Sequence, residues 1–133
     1  MEHNLVVLVD EDREFDSIIK TKLESEGFAV HVADMPQMGL RMIEEIHPDL
    51  VLLDINMPGM SGIEFINELK ENPDAKAIKV AFFSSMINPW KGGGDLQSVA
   101  SELGAVAFID KAVDLDQLIK QVRELIAAPE AGM

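Results

Sequence analysis

A chain of 133 residues, 47% hydrophobic and 26% charged, is of ordinary globular composition and long enough for one domain with a full core. Its 24 acidic against 11 basic residues leave a formal charge of -13, which argues against nucleic acid or an anionic membrane surface as partner, since both are gripped through Lys and Arg. No apolar segment approaches the roughly 18 residues of a spanning helix. Glu2 and His3 precede a strand-like run instead of a signal peptide, and the sequence holds no Cys for disulfide or thiolate chemistry. A cytoplasmic protein is the default expectation.

In chain order, Leu5–Val9 is a β-branched apolar run and the first predicted strand. Asp12 to Glu26 carries Phe15, Ile18, Ile19 and Leu23 as an inward helical stripe, with Asp12 as the cap and Gly27 as the stop. Phe28–Val32 is the second strand. Pro36 to His47 is helical, with Pro36 suited to the first turn and Leu40, Ile43 and Ile46 facing inward. Leu50–Leu53 is the third strand, apolar throughout and therefore buried on both faces. Ser61 caps a helix with Ile63, Phe65, Ile66 and Leu69 inward, ended by Asn72-Pro73-Asp74. Ile78–Phe83 is the fourth strand, and a Gly-rich stretch with the single Trp90 follows it. A fourth helix runs from near Asp95 to Leu103, Ala105–Ile109 is the fifth strand, and Leu115 to Ile126 is the last helix. Residues 1–128 thus form one domain, with 129–133 a short tail. Five βα units predict an α/β fold, a parallel sheet with helices on both faces and right-handed crossovers.

The strand ends carry the chemistry. Asp10-Glu11-Asp12 follows the first strand, Asp54 the third, Ser84-Ser85 the fourth and Lys111 the fifth. In a parallel sheet these ends share one edge, where ligands of open α/β sheets bind. Close carboxylates repel, so a hard divalent cation such as Mg²⁺ is expected among them. A hydroxyl and an ammonium opposite the cation suit a phosphoryl group, and an exposed carboxylate suits the nucleophile that would form an aspartyl-phosphate.

With these residues in order, the chain resembles the receiver domain of two-component response regulators. The resemblance is carried by Leu8-Val9-Asp10-Glu11-Asp12, by Leu52 to Gly62, by Phe83-Ser84-Ser85 and by Gly104 to Lys111, and it covers roughly residues 4 to 127. It implies a flavodoxin-like, doubly wound three-layer fold, a five-stranded parallel sheet of order 2-1-3-4-5 with five helices. It implies that Asp54 accepts a phosphoryl group from a histidine kinase or a histidine phosphotransfer protein. Mg²⁺ would be held by Asp10, Glu11, Asp54 and the backbone carbonyl of Asn56. Lys111 and Ser84 would meet the phosphoryl oxygens, and Phe108 would fill the aromatic switch position. Output would pass to a downstream protein target, from a monomer or weak dimer, with no enzymatic activity beyond the domain's own phosphorylation and dephosphorylation.

Two departures from the family pattern stand out. Ala112 replaces the Pro that usually follows the Lys, so the Lys111-Ala112 bond is expected to be trans, a non-proline cis bond costing about 3 kcal/mol. The stretch through Trp90-Lys91-Gly92-Gly93-Gly94 is longer than the usual connection after the fourth strand. Competing readings remain: a pseudo-receiver that works without phosphorylation, a receiver excised from a hybrid histidine kinase, an aspartyl-phosphate hydrolase, and a flavodoxin-like cofactor binder. The hydrolase would want an acid where Asn56 stands, and the cofactor binder a Gly/Ser/Thr-rich loop where three acids stand.

Overall fold

The computed structural model describes residues 4–55, 57, 59–85 and 96–128. Among them strands and helices alternate: β1 (Leu5–Val9), α1 (Arg13–Ser25), β2 (Ala29–Ala33), α2 (Pro36–Ile46), β3 (Leu50–Leu53), α3 (Gly62–Glu71), β4 (Val80–Ser84), α4 (Leu96–Glu102), β5 (Ala107–Asp110) and α5 (Leu115–Ala127). The strands form one parallel sheet of order β2-β1-β3-β4-β5. This is the doubly wound architecture expected from the sequence.

Alternation along the strands separates two cores. Val7, Val9, Val51, Leu53, Val80 and Phe82 face α2, α3 and α4. Val6, Leu8, Leu50, Leu52, Ala81, Phe83 and Ile109 face α1 and α5. Each fully buried side chain of this kind contributes about 1.5–3 kcal/mol of transfer free energy, so a one-residue slip in register would be heavily penalised.

Local chemistry sets the helix ends. Asp12 caps α1 by accepting from the Phe15 amide, Pro36 occupies the first turn of α2, and Asp114 caps α5. Ser61 and Glu64 form a reciprocal capping box on α3. At the other end of the sheet, the Lys79 ammonium donates to the carbonyls of Leu125, Ile126 and Ala128, closing the last turn of α5.

Several boundaries move from their expected places, each for a hydrogen-bonding reason. Phe28 is tied back to the last turn of α1 by its amide, which bonds to the Leu23 carbonyl, so β2 begins at Ala29. Turns bonded back to Asn72 and Ala75 carry the chain through Ile78, which delays β4 to Val80; the strand then runs on through Ser84. Ala105 bonds back to Ala100 at the end of α4, and β5 begins at Ala107. The inward stripe of α1 needs a larger correction. Ile18 is 56% exposed, and the buried positions of the helix are Asp16, Ile19 and Leu23. The expected start of α4 near Asp95, the stretch through Trp90 and the tail after 128 lie outside the described residues.

Candidate functional site

Backbone bonds between neighbouring strand ends hold the candidate residues in place. Val9 pairs with both Ala33 and Leu53 in register. Just past that register the Asp10 amide donates to Ala33 O and the Asp54 amide to Val9 O, each at 3.0 Å. On the far side, Lys111 donates its amide to Ser84 O at 3.0 Å, and Asp110 Oδ1 accepts from the Ala112 amide at 2.8 Å. The chain contains no cis peptide among the described residues, so Lys111-Ala112 is trans, as the missing proline predicts.

Continuing the alternation of each strand puts Asp10, Asp54 and Lys111 on the face that α1 and α5 cover. There they meet. Lys111 Nζ lies 2.7 Å from Asp10 Oδ2 and 3.6 Å from Asp54 Oδ2, and 5.1 Å from the centre of the Phe15 ring. Asp10 is 1% exposed, whereas Asp54 and Lys111 are each 13% exposed. Asp54 is thus the acid an incoming reagent can reach. Ser84 is buried at the end of β4, with its strand parity on the opposite face. Glu11 is exposed at the rim.

Phe108 packs inward at 5% exposure within the core formed with α2, α3 and α4. The Asn56 carbonyl lies outside the described residues. After it, Met57 packs into the core, Met60 lies against it, and Gly59 turns the chain at φ +84. Gly62 brings α3 hard against the segment that carries the acid: its amide donates to Ile55 O at 2.6 Å. Ser85 is exposed, and His31 and His47 lie at the surface.

Electrostatics follow from this packing. Burial works against the charge of Lys111, but its bond to Asp10 and the fields of Asp10, Asp54 and Asp16 outweigh it, and the ammonium pKa is raised. Sequence reasoning missed Asp16. It is 2% exposed, and burial first, then the neighbouring Asp10, push its carboxyl up to about 8. The signal was available in its place on α1, one turn beyond Asp12 on the face that meets the sheet.

Oxygen donors at Asp10, Glu11 and Asp54 are the hard ligands that Mg²⁺ takes. The buried Asp10 Oδ2, which has no hydrogen-bond partner among the described residues and is met only by the Lys111 ion pair, is the kind of atom a cation would satisfy. No three His, Cys, Asp or Glu of the described residues stand close enough to form a ready-made cage. The donor set therefore fits the ion in chemistry, and its side chains would have to close in around the ion to hold it. No described helix is long and apolar enough to cross a membrane.

A doubly wound sheet with acids after β1 and β3, a hydroxyl on β4 and a lysine after β5 defines the receiver class of signalling domains. Comparison with known proteins agrees: the chain belongs to the response regulator receiver domain family, whose model matches residues 6–123. It is 32% identical over 124 residues to the transcriptional regulatory protein CpxR of Klebsiella pneumoniae, an alignment covering 92% of this chain and 49% of that protein. The chain thus spans about half the length of that relative. Among solved structures, a CheY-like receiver domain protein from Methanospirillum hungatei is 27% identical, with a TM-score of 0.78 and 94% of each chain covered. A response regulator from Chloroflexus aurantiacus shares the fold at TM-score 0.81 and 20% identity, over 96% of this chain and 100% of that one. Receiver domains are signalling modules of two-component systems and are generally not enzymes in their own right; relatives that are enzymes carry that activity on other domains.

Proposed function

We propose that this chain, as one domain over residues 1–128 with a short tail at 129–133, is a phosphorylation-controlled switch in which Asp54 is the acceptor. The observation that carries the reading is the Lys111 ammonium set between buried Asp10 and reachable Asp54 at the edge of a parallel sheet. In the step itself a carboxylate oxygen of Asp54 attacks the phosphorus of a phosphohistidine on a histidine kinase or phosphotransfer protein. The P–O bond forms as the P–N bond breaks, and the electron pair returns to the imidazole.

Lys111 is within reach of the phosphoryl oxygens that replace its contact with Asp54, and Ser84 supplies a hydroxyl from the end of β4. Asp10, Glu11, Asp54 and the Asn56 carbonyl would hold Mg²⁺, which supplies charge neutralisation for the incoming phosphoryl group. Phe108, already inward, would transmit the change toward α4 and β5 and so to a downstream protein target. The absence of cysteine from the sequence is consistent with a cytoplasmic setting, where such a kinase presents its phosphohistidine.

Intact-mass measurement after incubation with Mg²⁺ and acetyl phosphate tests the reading. One phosphoryl adduct is expected on the wild type, and none on Asp54→Asn or without metal. An adduct that persists in Asp54→Asn would move the acceptor elsewhere. Absence of both adduct and metal binding would favour the phosphorylation-independent pseudo-receiver.

A further inference from the structure

The direction in which Lys111 leaves the sheet is set by the backbone on either side of its Cα, and both flanking amides are held. Its own amide donates to Ser84 O at 3.0 Å, a bond between backbones that continues the pairing of β4 with β5. The next amide, that of Ala112, donates to Asp110 Oδ1 at 2.8 Å. The Val113 amide then returns to Asp110 O at 3.0 Å and closes the turn. Asp is favoured at the first position of such a turn because its carboxylate accepts from the amide two residues on. Of these three bonds only the second is made by a side chain. A proline at 112 would have no N–H to give; the alanine has one, and Asp110 takes it.

The lysine that this turn carries has an exacting position. Its Nζ lies 2.7 Å from Asp10 Oδ2 and 3.6 Å from Asp54 Oδ2. A lysine stem has four flexible carbons, so the ammonium keeps one place between two acids only if the backbone beneath it is fixed. Asp110 itself is exposed at the end of β5, outside the acid pocket.

We propose that Asp110 is a positioning residue for phosphoryl uptake: its bond to the Ala112 amide fixes the peptide after Lys111 and so holds the ammonium between Asp10 and Asp54. The proposal rests on the receiver reading of the pocket for its reaction. Asp110 acts through Lys111 and takes no part in the chemistry itself.

Three variants separate the bond from the charge. Asp110→Asn keeps an oxygen in the same place and loses the charge. Asp110→Glu keeps the charge and carries its oxygens one methylene further out, and Asp110→Ala loses both. The first measurement is the ¹⁵N signal of the Lys111 ammonium in metal-free protein, assigned by its absence from Lys111→Met. The second is the rate of phosphoryl uptake from acetyl phosphate with saturating Mg²⁺, at a temperature where melting curves show every variant folded. Asp110→Asn is expected to keep the ammonium signal and most of the wild-type rate. Asp110→Glu and Asp110→Ala are expected to shift or broaden the signal and to slow uptake about tenfold, the scale of a partly misplaced reacting group.

Wild-type rates and signals in Asp110→Glu and Asp110→Ala would overturn the proposal. So would a slow Asp110→Asn beside a fast Asp110→Glu, which would assign the effect to charge. A slow Asp110→Glu with an unchanged signal would place the loss away from Lys111 and overturn it too. A wild type without a signal that Lys111→Met removes would mean that the ammonium is not held at Asp10, with the same result. A wild type that shows the signal and takes up no phosphoryl group would overturn the receiver reading instead, and the signals alone would then decide whether Asp110 positions Lys111.

Discussion

Lys111 is bound more closely to Asp10 than to Asp54, at 2.7 Å against 3.6 Å. The lysine therefore neutralises the deepest acid of the pocket before any phosphoryl group arrives, and the looser contact is the one given up to the reagent. Lys111→Met would leave Asp10, 1% exposed, without its counter-ion. Removing one partner of a buried pair costs about 3 kcal/mol, more than a surface pair is worth. The variant should melt well below the wild type in metal-free buffer, and added Mg²⁺ should restore part of the loss. Parallel melting curves with and without the ion check both statements.

Gly62 is the point where α3 touches the strand that carries the acceptor. A Cβ there would stand 2.9 Å from Ile55 Cα and 3.2 Å from the Asp54 carbonyl oxygen, both backbone atoms with little freedom to give way. Gly62→Ala should therefore displace the segment after β3, at about 1–3 kcal/mol in stability. Phosphoryl uptake from acetyl phosphate should slow with it, because the displaced segment begins at Asp54. Ile63→Ala, one residue on and only partly buried, is the comparison. If its uptake slows equally, the loss follows from a weakened helix and not from the close approach.

The sheet was legible because β1 and β3 are apolar runs that nothing else explains, and their bounds match the structure. The site residues at strand ends follow from parallel order alone. Asp16 was legible by helical angle but not by chemical type, since an acid at the start of a helix is ordinarily a solvated partner of the helix dipole. Ile18 misled for the complementary reason: it was placed in the core by chemical type instead of by angle. At about 100° per residue, Ile18 lies about 120° around the helix from the midpoint of Ile19 and Leu23, whereas Asp16 lies about 40° from it. The boundary shifts at Phe28, Ile78 and Ala105 share one cause: amides that bond backward into the preceding helix or turn, which hydropathy does not record.

Ser61 ties the segment after the acceptor to α3. Its side chain accepts from the Glu64 amide at 3.2 Å while Glu64 Oε1 accepts from the Ser61 amide at 3.2 Å. Ser61→Ala removes one half of this box and should cost about 1 kcal/mol. In a domain of this size that lowers the melting temperature by about 4 °C. Glu64→Ala should lose less, since the Ser61 side-chain bond survives it. A double variant no worse than Ser61→Ala alone would show that the two bonds stand or fall together.

Asp16 makes the stability of the metal-free domain depend on pH in an unusual direction. Its carboxyl is raised from 3.8 to about 8, by burial first and by Asp10 next, with Lys111 opposing and Asp12 adding to the rise. Between those values the folded state keeps a proton that the unfolded state has released. The number of protons bound by the unfolded state minus that of the folded state is then negative, so stability falls as pH rises from about 4 toward 8. One such proton limits the slope to about 1.4 kcal/mol per pH unit. Lys111 does not contribute in this window, because its ammonium is raised above 10.5 and its share of stability is lost only as pH rises through that higher value. Denaturant melts in EDTA across the range should show the decline in the wild type and a flatter profile in Asp16→Asn. A wild-type profile that rises across the window would mean Asp16 is ionised in the folded state, with Lys111 outweighing burial and Asp10 to hold it so.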